Sequence, residues 1–139
     1  MANFSLSKRI SPADVGINAK AGDSATFESD WIDARGYNQA TLFCKFDSVS
    51  GSTTAAAMTF NIEVSDDAGT TAYFLQTAAV SAGTVTLSKL QYSSATSNTD
   101  HNFAVDFPCN YPHFRITDMD VASAHADDLI SVSVILGNI

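Results

Sequence analysis

A few groups of side chains in this 139-residue chain have types suited to chemistry, and their spacing decides what each can do. Asp66 and Asp67 are adjacent, so on a strand they point to opposite faces, a poor arrangement for paired acid–base work. Ser65-Asp66-Asp67-Ala68-Gly69-Thr70 reads instead as a hairpin turn, with Asp bonding to backbone and Gly taking the left-handed position. Asp118, Asp120, Asp127 and Asp128, with His125 among them, could gather oxygens around a calcium ion. They lack the twelve-residue pattern of a calcium loop, and Asp118 to Asp128 reads as an acidic surface loop. His101, His113 and His125 recur every twelve residues, which matches no metal-ligand spacing on a helix or hairpin. Serines are abundant, but no Gly-x-Ser-x-Gly elbow, phosphate-cradling glycine loop or CxxC pair occurs. The expectation is a chain with no catalytic residues, no metal and no cofactor.

Cys44 and Cys109 are the only thiols. Cys44 shares a strand face with Leu42 and Phe46 and reads as a small buried hydrophobe. A disulfide between the two requires Cα atoms within about 7 Å, which spacing in sequence does not settle.

Charge narrows the partners. The formal net charge is −8 with only seven basic residues, too few for the counterion release that drives nucleic-acid binding. Nucleic acid and anionic membrane are therefore not expected as partners. Lys8, Arg9 and Lys20 stand against Asp14 in the first twenty residues, a local +2; four basic and fourteen acidic residues give the remainder −10. A slightly basic arm on an acidic body suits pairing with a neighbouring copy or another acidic surface, and equally suits a solvated tail. Met1–Leu6 has no apolar signal-peptide core, which points to synthesis in a cytoplasm without export by the common route, and no apolar run is long enough to span a bilayer.

The elements that must position these groups read as strands. Hydrophobic residues make up 45% and charged residues 16%, the balance of a folded chain, and the length suits one domain. Residues 1–20 read as an extended N-terminal arm with at most a short strand, dispensable to a β-sandwich domain over 21–139. Ala21–Ser29 reads as a first body strand, and Asn38–Asp47 as a long one with Ala40, Leu42, Cys44 and Phe46 on one face. Met58, Phe60, Ile62 and Val64 alternate most cleanly, and Ala72–Thr77 returns from the turn. Ala78–Gly83 reads as loose. The alternation from Thr84 to Tyr92 slips near Ser88-Lys89, as a β-bulge would make it. Phe103–Phe107, His113–Thr117 and Ile130–Leu136 complete about eight strands with no sustained helical period. The fold class expected is an all-β antiparallel sandwich or jelly roll.

Much of this is organised around Asp30-Trp31-Ile32-Asp33-Ala34-Arg35-Gly36-Tyr37, which reads as a corner bringing Trp31 and Tyr37 to the start of the long strand. Gly36 falls where a reversal or a close backbone approach favours positive φ. Trp31 reads first as a large core anchor and second as a ligand-stacking ring.

Ser29 to Tyr37 is similar to a W-(I/V)-D-(V/A)-R-G-Y corner in small β-sandwich structural proteins of tailed-phage virions. Val64-Ser65-Asp66-Asp67-Ala68-Gly69 resembles their V-S-D-D-x-G hairpin, Phe114-Arg115-Ile116-Thr117 their late F-R-(I/V)-T strand, and Ser131-Val132-Ser133-Val134 their final alternation. The resemblance covers most of residues 24–137. It implies a non-enzymatic virion protein, in the first place a head decoration (cement) protein: a homotrimer on the capsid exterior, with the major capsid protein of the same virus as partner. Phe4, Leu6, Lys8, Arg9 and Ile10 of the arm are the expected capsid or intersubunit contacts. The alternative is a tail- or fibre-associated sandwich binding host glycans, which needs Trp31, Tyr73, Tyr92 and Tyr111 accessible together.

Overall fold

The structure, a computed structural model, describes residues 7–48, 56–96, 100–122 and 124–138. In chain order the strands are β1 (Ser7–Ile10), β2 (Asn18–Lys20), β3 (Ile32–Asp33), β4 (Gln39–Asp47), β5 (Ala56–Ser65) and β6 (Tyr73–Phe74). Then come β7 (Gln76–Ser81), β8 (Thr84–Lys89), β9 (Gln91–Thr96), β10 (His101–Pro108), β11 (His113–Val121) and β12 (Leu129–Gly137). One helical turn, α1 (Pro12–Val15), separates β1 from β2.

All pairings are antiparallel and form two five-stranded sheets and a separate two-stranded ribbon. The first sheet runs β1–β12–β4–β10, with β2 also on β12; the second runs β3–β11–β5–β6, with β9 also on β5. β1 lies beside Val134–Gly137 and β2 beside Leu129–Ser131, so the two share one edge position. β6 and β9 likewise share the free side of β5. Each sheet is therefore four positions wide, and the eight positions, numbered along the chain, run 1-8-3-6 in one sheet and 2-7-4-5 in the other. That alternation between sheets is the jelly-roll winding, with the strand number the sequence expects.

The period-two pattern explains which sides face inward. Leu42, Cys44 and Phe46 of β4, Met58, Phe60 and Ile62 of β5, and Val132, Val134 and Leu136 of β12 are all buried in one core. Full burial of one such side chain is worth about 1.5–3 kcal/mol relative to exposure. Phe107 meets Phe114 edge-on at 5.2 Å between ring centroids, joining the sheets near the Trp31 corner.

Several expectations are corrected. Ala21–Ser29 is not a strand: Ala21–Asp23 is a 3-10 turn, and Phe27 makes only an isolated bridge to Met119. Backbone bonds to β11 remain at Phe27 and from the Ser29 N–H to Ile116 O, while the Ile116 N–H is accepted by Ser29 Oγ at 2.8 Å where a regular ladder would use a carbonyl. Ala78–Gly83 is not loose. β7 and β8 are joined through Ala82 and Gly83 at φ 50° and 78°, both positive as in a type I′ turn, whose twist suits a ribbon. The slip near Ser88-Lys89 is not a bulge, since the ribbon ends at Lys89 and the sheet is re-entered at Gln91, with Leu90 as the joint donating to Leu75 O. A true irregularity lies in β11, between Thr117 and Asp120, where Asp118 has φ 52°. β11 thus runs through the first four residues, Asp118 to Val121, of the stretch expected to be an acidic loop.

Residues 7–20, read from sequence as an extended arm with at most a short strand, form two short strands and a helical turn and lie against the body. Val15 and Ile17 are fully buried, and Val132 N donates to Ile17 O. Ser11 caps α1 through its side chain and Gly16 ends it at φ 90°. Removing residues 1–20 therefore strips two core side chains and the whole edge of the first sheet, and the body cannot be expected to ignore their loss.

Candidate interaction site

The site begins at β1. Its register on β12 sets Lys8 opposite Leu136, Arg9 opposite Ile135 and Ile10 opposite Val134. Lys8 and Arg9 are exposed, Ile10 is half-buried against the core, and the outer side of β1 has no strand partner among the described residues. An edge of this kind offers backbone donors and acceptors to another chain. Phe4 and Leu6, the other expected contacts, lie outside the described residues.

Two depressions flank β1. A cleft of about 290 Å³ is lined by Lys8, Arg9, Ile10 and Asp14 on one side and Trp31, Ile32 and Asp33 on the other. A broader trough of about 560 Å³ lies over the outer face of the first sheet, where Arg9 and Lys45 stand beside Phe43, Asn102 and Ser133. Phe43 is 42% exposed there. Arg9 lines both depressions, which makes it the cation best placed to meet a partner on either side.

Trp31 is half-buried and belongs to this site more than to the core. The Arg115 guanidinium lies over its ring at 4.6 Å from the centroid, a cation–π contact. Arg115 in turn donates from Nε and Nη2 to Glu63 Oε2 at 2.9 and 2.7 Å, and from Nη1 to Glu28 Oε1 at 2.9 Å. Glu63 is buried, so this pairing lets a carboxylate lie under the Trp31 corner. Gly69 approaches the ring from another side, and a Cβ built there would fall 2.6 Å from the indole nitrogen.

In the corner itself Ile32 and Ala34 are buried while Asp33 and Arg35 point outward. Arg35 donates to both oxygens of Asp33, at 2.9 and 2.7 Å, and holds that carboxyl well below the usual carboxylate range. Gly36 has φ 86° and nothing near its missing Cβ, so the turn demands it for conformation rather than close approach.

Of the four rings of the glycan alternative, Trp31, Tyr92 and Tyr111 are half-buried. Tyr73 is 53% exposed. Tyr92 stacks on Phe60 at 5.1 Å and Tyr111 packs edge-on to Phe114 at 6.2 Å, both against the core. The Tyr111 hydroxyl is buried without a hydrogen-bond partner, and burial pushes it far above the usual phenol range.

The remaining candidates stay apart. His101 meets Ser94 Oγ, His113 Nε2 lies 3.9 Å from Asp33, and His125 lies beside Asp127. Among the described residues no three His, Cys, Asp or Glu side chains gather as a metal site. Asp66 and Asp67 sit in the expected turn, where Asp67 Oδ1 accepts from Ser65 Oγ and from the Thr71 N–H. Asp118 Oδ2 accepts from Asn61 across the β11 irregularity, and the Asp128 carboxylate accepts from the His125 N–H. Cys44 and Cys109 are both buried and free.

No protein-family model matches the chain, and no curated protein matches it. A similar solved structure is a carbohydrate binding module from glycoside hydrolase family 9 (Cel9A) of Ruminococcus flavefaciens FD-1. The likeness has 9% identity and a TM-score of 0.42, over 94% of this chain and 96% of that one. At that identity and score it carries no residue's role across, and the jelly-roll description rests on the strand pairings themselves.

Proposed function

We propose that this chain is a non-enzymatic structural protein of a tailed-phage virion, a decoration protein that binds the outer face of the assembled capsid as a homotrimer. The motif resemblance supplies the class of protein. The observation that supports a gripping role is the β1 edge: Lys8 and Arg9 stand exposed on a strand that pairs with β12 on one side and, among the described residues, with no strand on the other, in a chain whose net charge is −8. A protein that binds the assembled lattice but not its free subunits stabilises the lattice by mass action. Many modest contacts repeated over a shell gain avidity from their geometry. The partner is the major capsid protein of the same virus, through an acidic or strand-accepting surface facing Lys8 and Arg9.

The test is binding to shells assembled from the major capsid protein of the same virus. Wild-type protein is expected to co-sediment with shells, and Lys8→Glu with Arg9→Glu to lower occupancy at least tenfold while thermal stability holds. Occupancy unchanged by the double variant would remove β1 as the grip. Absence of wild-type binding would remove the decoration reading.

A further inference from the structure

Among the described residues, the ribbon of β7 and β8 pairs with nothing but itself. It leaves the second sheet between β6 and β9, and every residue from Gln76 to Lys89 is exposed. Its two faces differ in kind. Cross-strand register sets Ala78 opposite Leu87 and Val80 opposite Val85 on one face. Thr77 opposite Ser88, Ala79 opposite Thr86 and Ser81 opposite Thr84 make the other. The first face is an apolar stripe in water, with Val80, Val85 and Leu87 at 72%, 59% and 62% exposure. A lone two-stranded ribbon is marginal in water, and an apolar face on it calls for cover.

The charge pattern argues for an uncharged partner. The ribbon carries one charge, Lys89 at its base, whose ammonium lies over Phe74 at 3.7 Å. No acidic residue occurs between Asp67 and Asp100, so all fifteen acids lie outside this stretch. A charged partner would find nothing on the ribbon to pair with, whereas a second copy of this chain brings an identical uncharged apolar stripe. Two bodies of net charge −8 repel, but a six-residue strand spans about 20 Å at ~3.3 Å per residue, beyond the Debye length of about 8 Å at physiological salt. Ribbons laid face to face with their bodies at opposite ends meet where that repulsion is screened.

We infer that the ribbon is a self-association element, its Ala78–Val80–Val85–Leu87 stripe packing on the same stripe of a second copy. The contact is isologous and joins copies in pairs, so it is separate from any threefold contact and holds whether or not the chain decorates a shell. The interface is small and the association correspondingly concentration-dependent.

The experiment is light scattering of the full chain from micromolar to millimolar concentration, with two double variants of equal added charge. Wild-type mass is expected to double over its lowest species as concentration rises. Val80→Lys with Leu87→Lys is expected to stay at the lowest species throughout, while Thr77→Lys with Thr86→Lys, on the opposite face, follows wild type. Replacing Gln76–Lys89 by two glycines abolishes the doubling in the same way, with the body checked by its single-tryptophan fluorescence. Wild-type mass that never changes with concentration, or doubling that survives both the stripe variant and the ribbon deletion, overturns the inference. Flotation of wild-type protein with neutral phosphatidylcholine vesicles and no self-association would assign the stripe to lipid instead, and also overturns it.

Discussion

Gly69 is the residue whose role is sharpest. It has φ 90°, and any Cβ there would overlap the indole of Trp31, the only tryptophan in the chain. Gly69→Ala is expected to combine backbone strain with overpacking, costing about 3 kcal/mol in urea unfolding, and to shift the native fluorescence maximum as the ring is displaced. Unchanged fluorescence would mean the ring is not held by this approach. The thiols give a pH dependence of definite sign. Burial pushes Cys44 up to about 12 and Cys109 up to about 11, against about 8.5 in an unfolded chain. Both therefore contribute stability that is full below pH ~8.5 and is lost as pH rises through the folded values, because only the unfolded chain ionises readily in that window. Urea midpoints are expected to fall between pH ~9 and 11, and Cys44→Ala to flatten that fall. Burial of Cys44 was legible from its place between Leu42 and Phe46. The half-burial of Trp31 was not, because the residues that hold it, Arg115 and Gly69, come from distant segments.

Strands with one face on the core were the most legible elements. β5 announces itself through Met58, Phe60 and Ile62, although Asn61 and Glu63 on its other face are buried too, beneath Asp118 and Arg115. The ribbon misleads the same reasoning, because Val85 and Leu87 alternate as a core strand would yet face solvent. Periodicity reports that one face differs from the other, not what lies against it. Residues 7–20 mislead in the opposite way. A four-residue helical turn between two short strands has no period to detect, yet it delivers Val15 and Ile17 to the core. A chain beginning at Ala21 is expected to lose at least 4 kcal/mol, at about 2–5 kcal/mol for each large side chain lost from a packed site, and to unfold cooperatively at much lower urea. Full stability of that chain would show the first twenty residues to be a dispensable arm after all.

At the scale of the whole molecule, the first and last strands are neighbours. Ser7 stands opposite Gly137, so the beginning and end of the described chain leave the body at the same corner of the first sheet. That placement has a mechanical meaning. Tension applied through the two ends does not load the β1–β12 ladder along its length; it parts the strands from one end, one pair of hydrogen bonds after another, and each rung carries the whole force in turn. A pull between Ser7 and the far end of β12 at Leu129 would instead set all the rungs of the same ladder in shear together. The molecule is therefore anisotropic: compliant to forces that peel its terminal strands apart, stiff to forces that slide them past each other. A fastening that grips the β1 edge sideways holds it in the stiff direction, and one that tugs on a chain end holds it in the soft one.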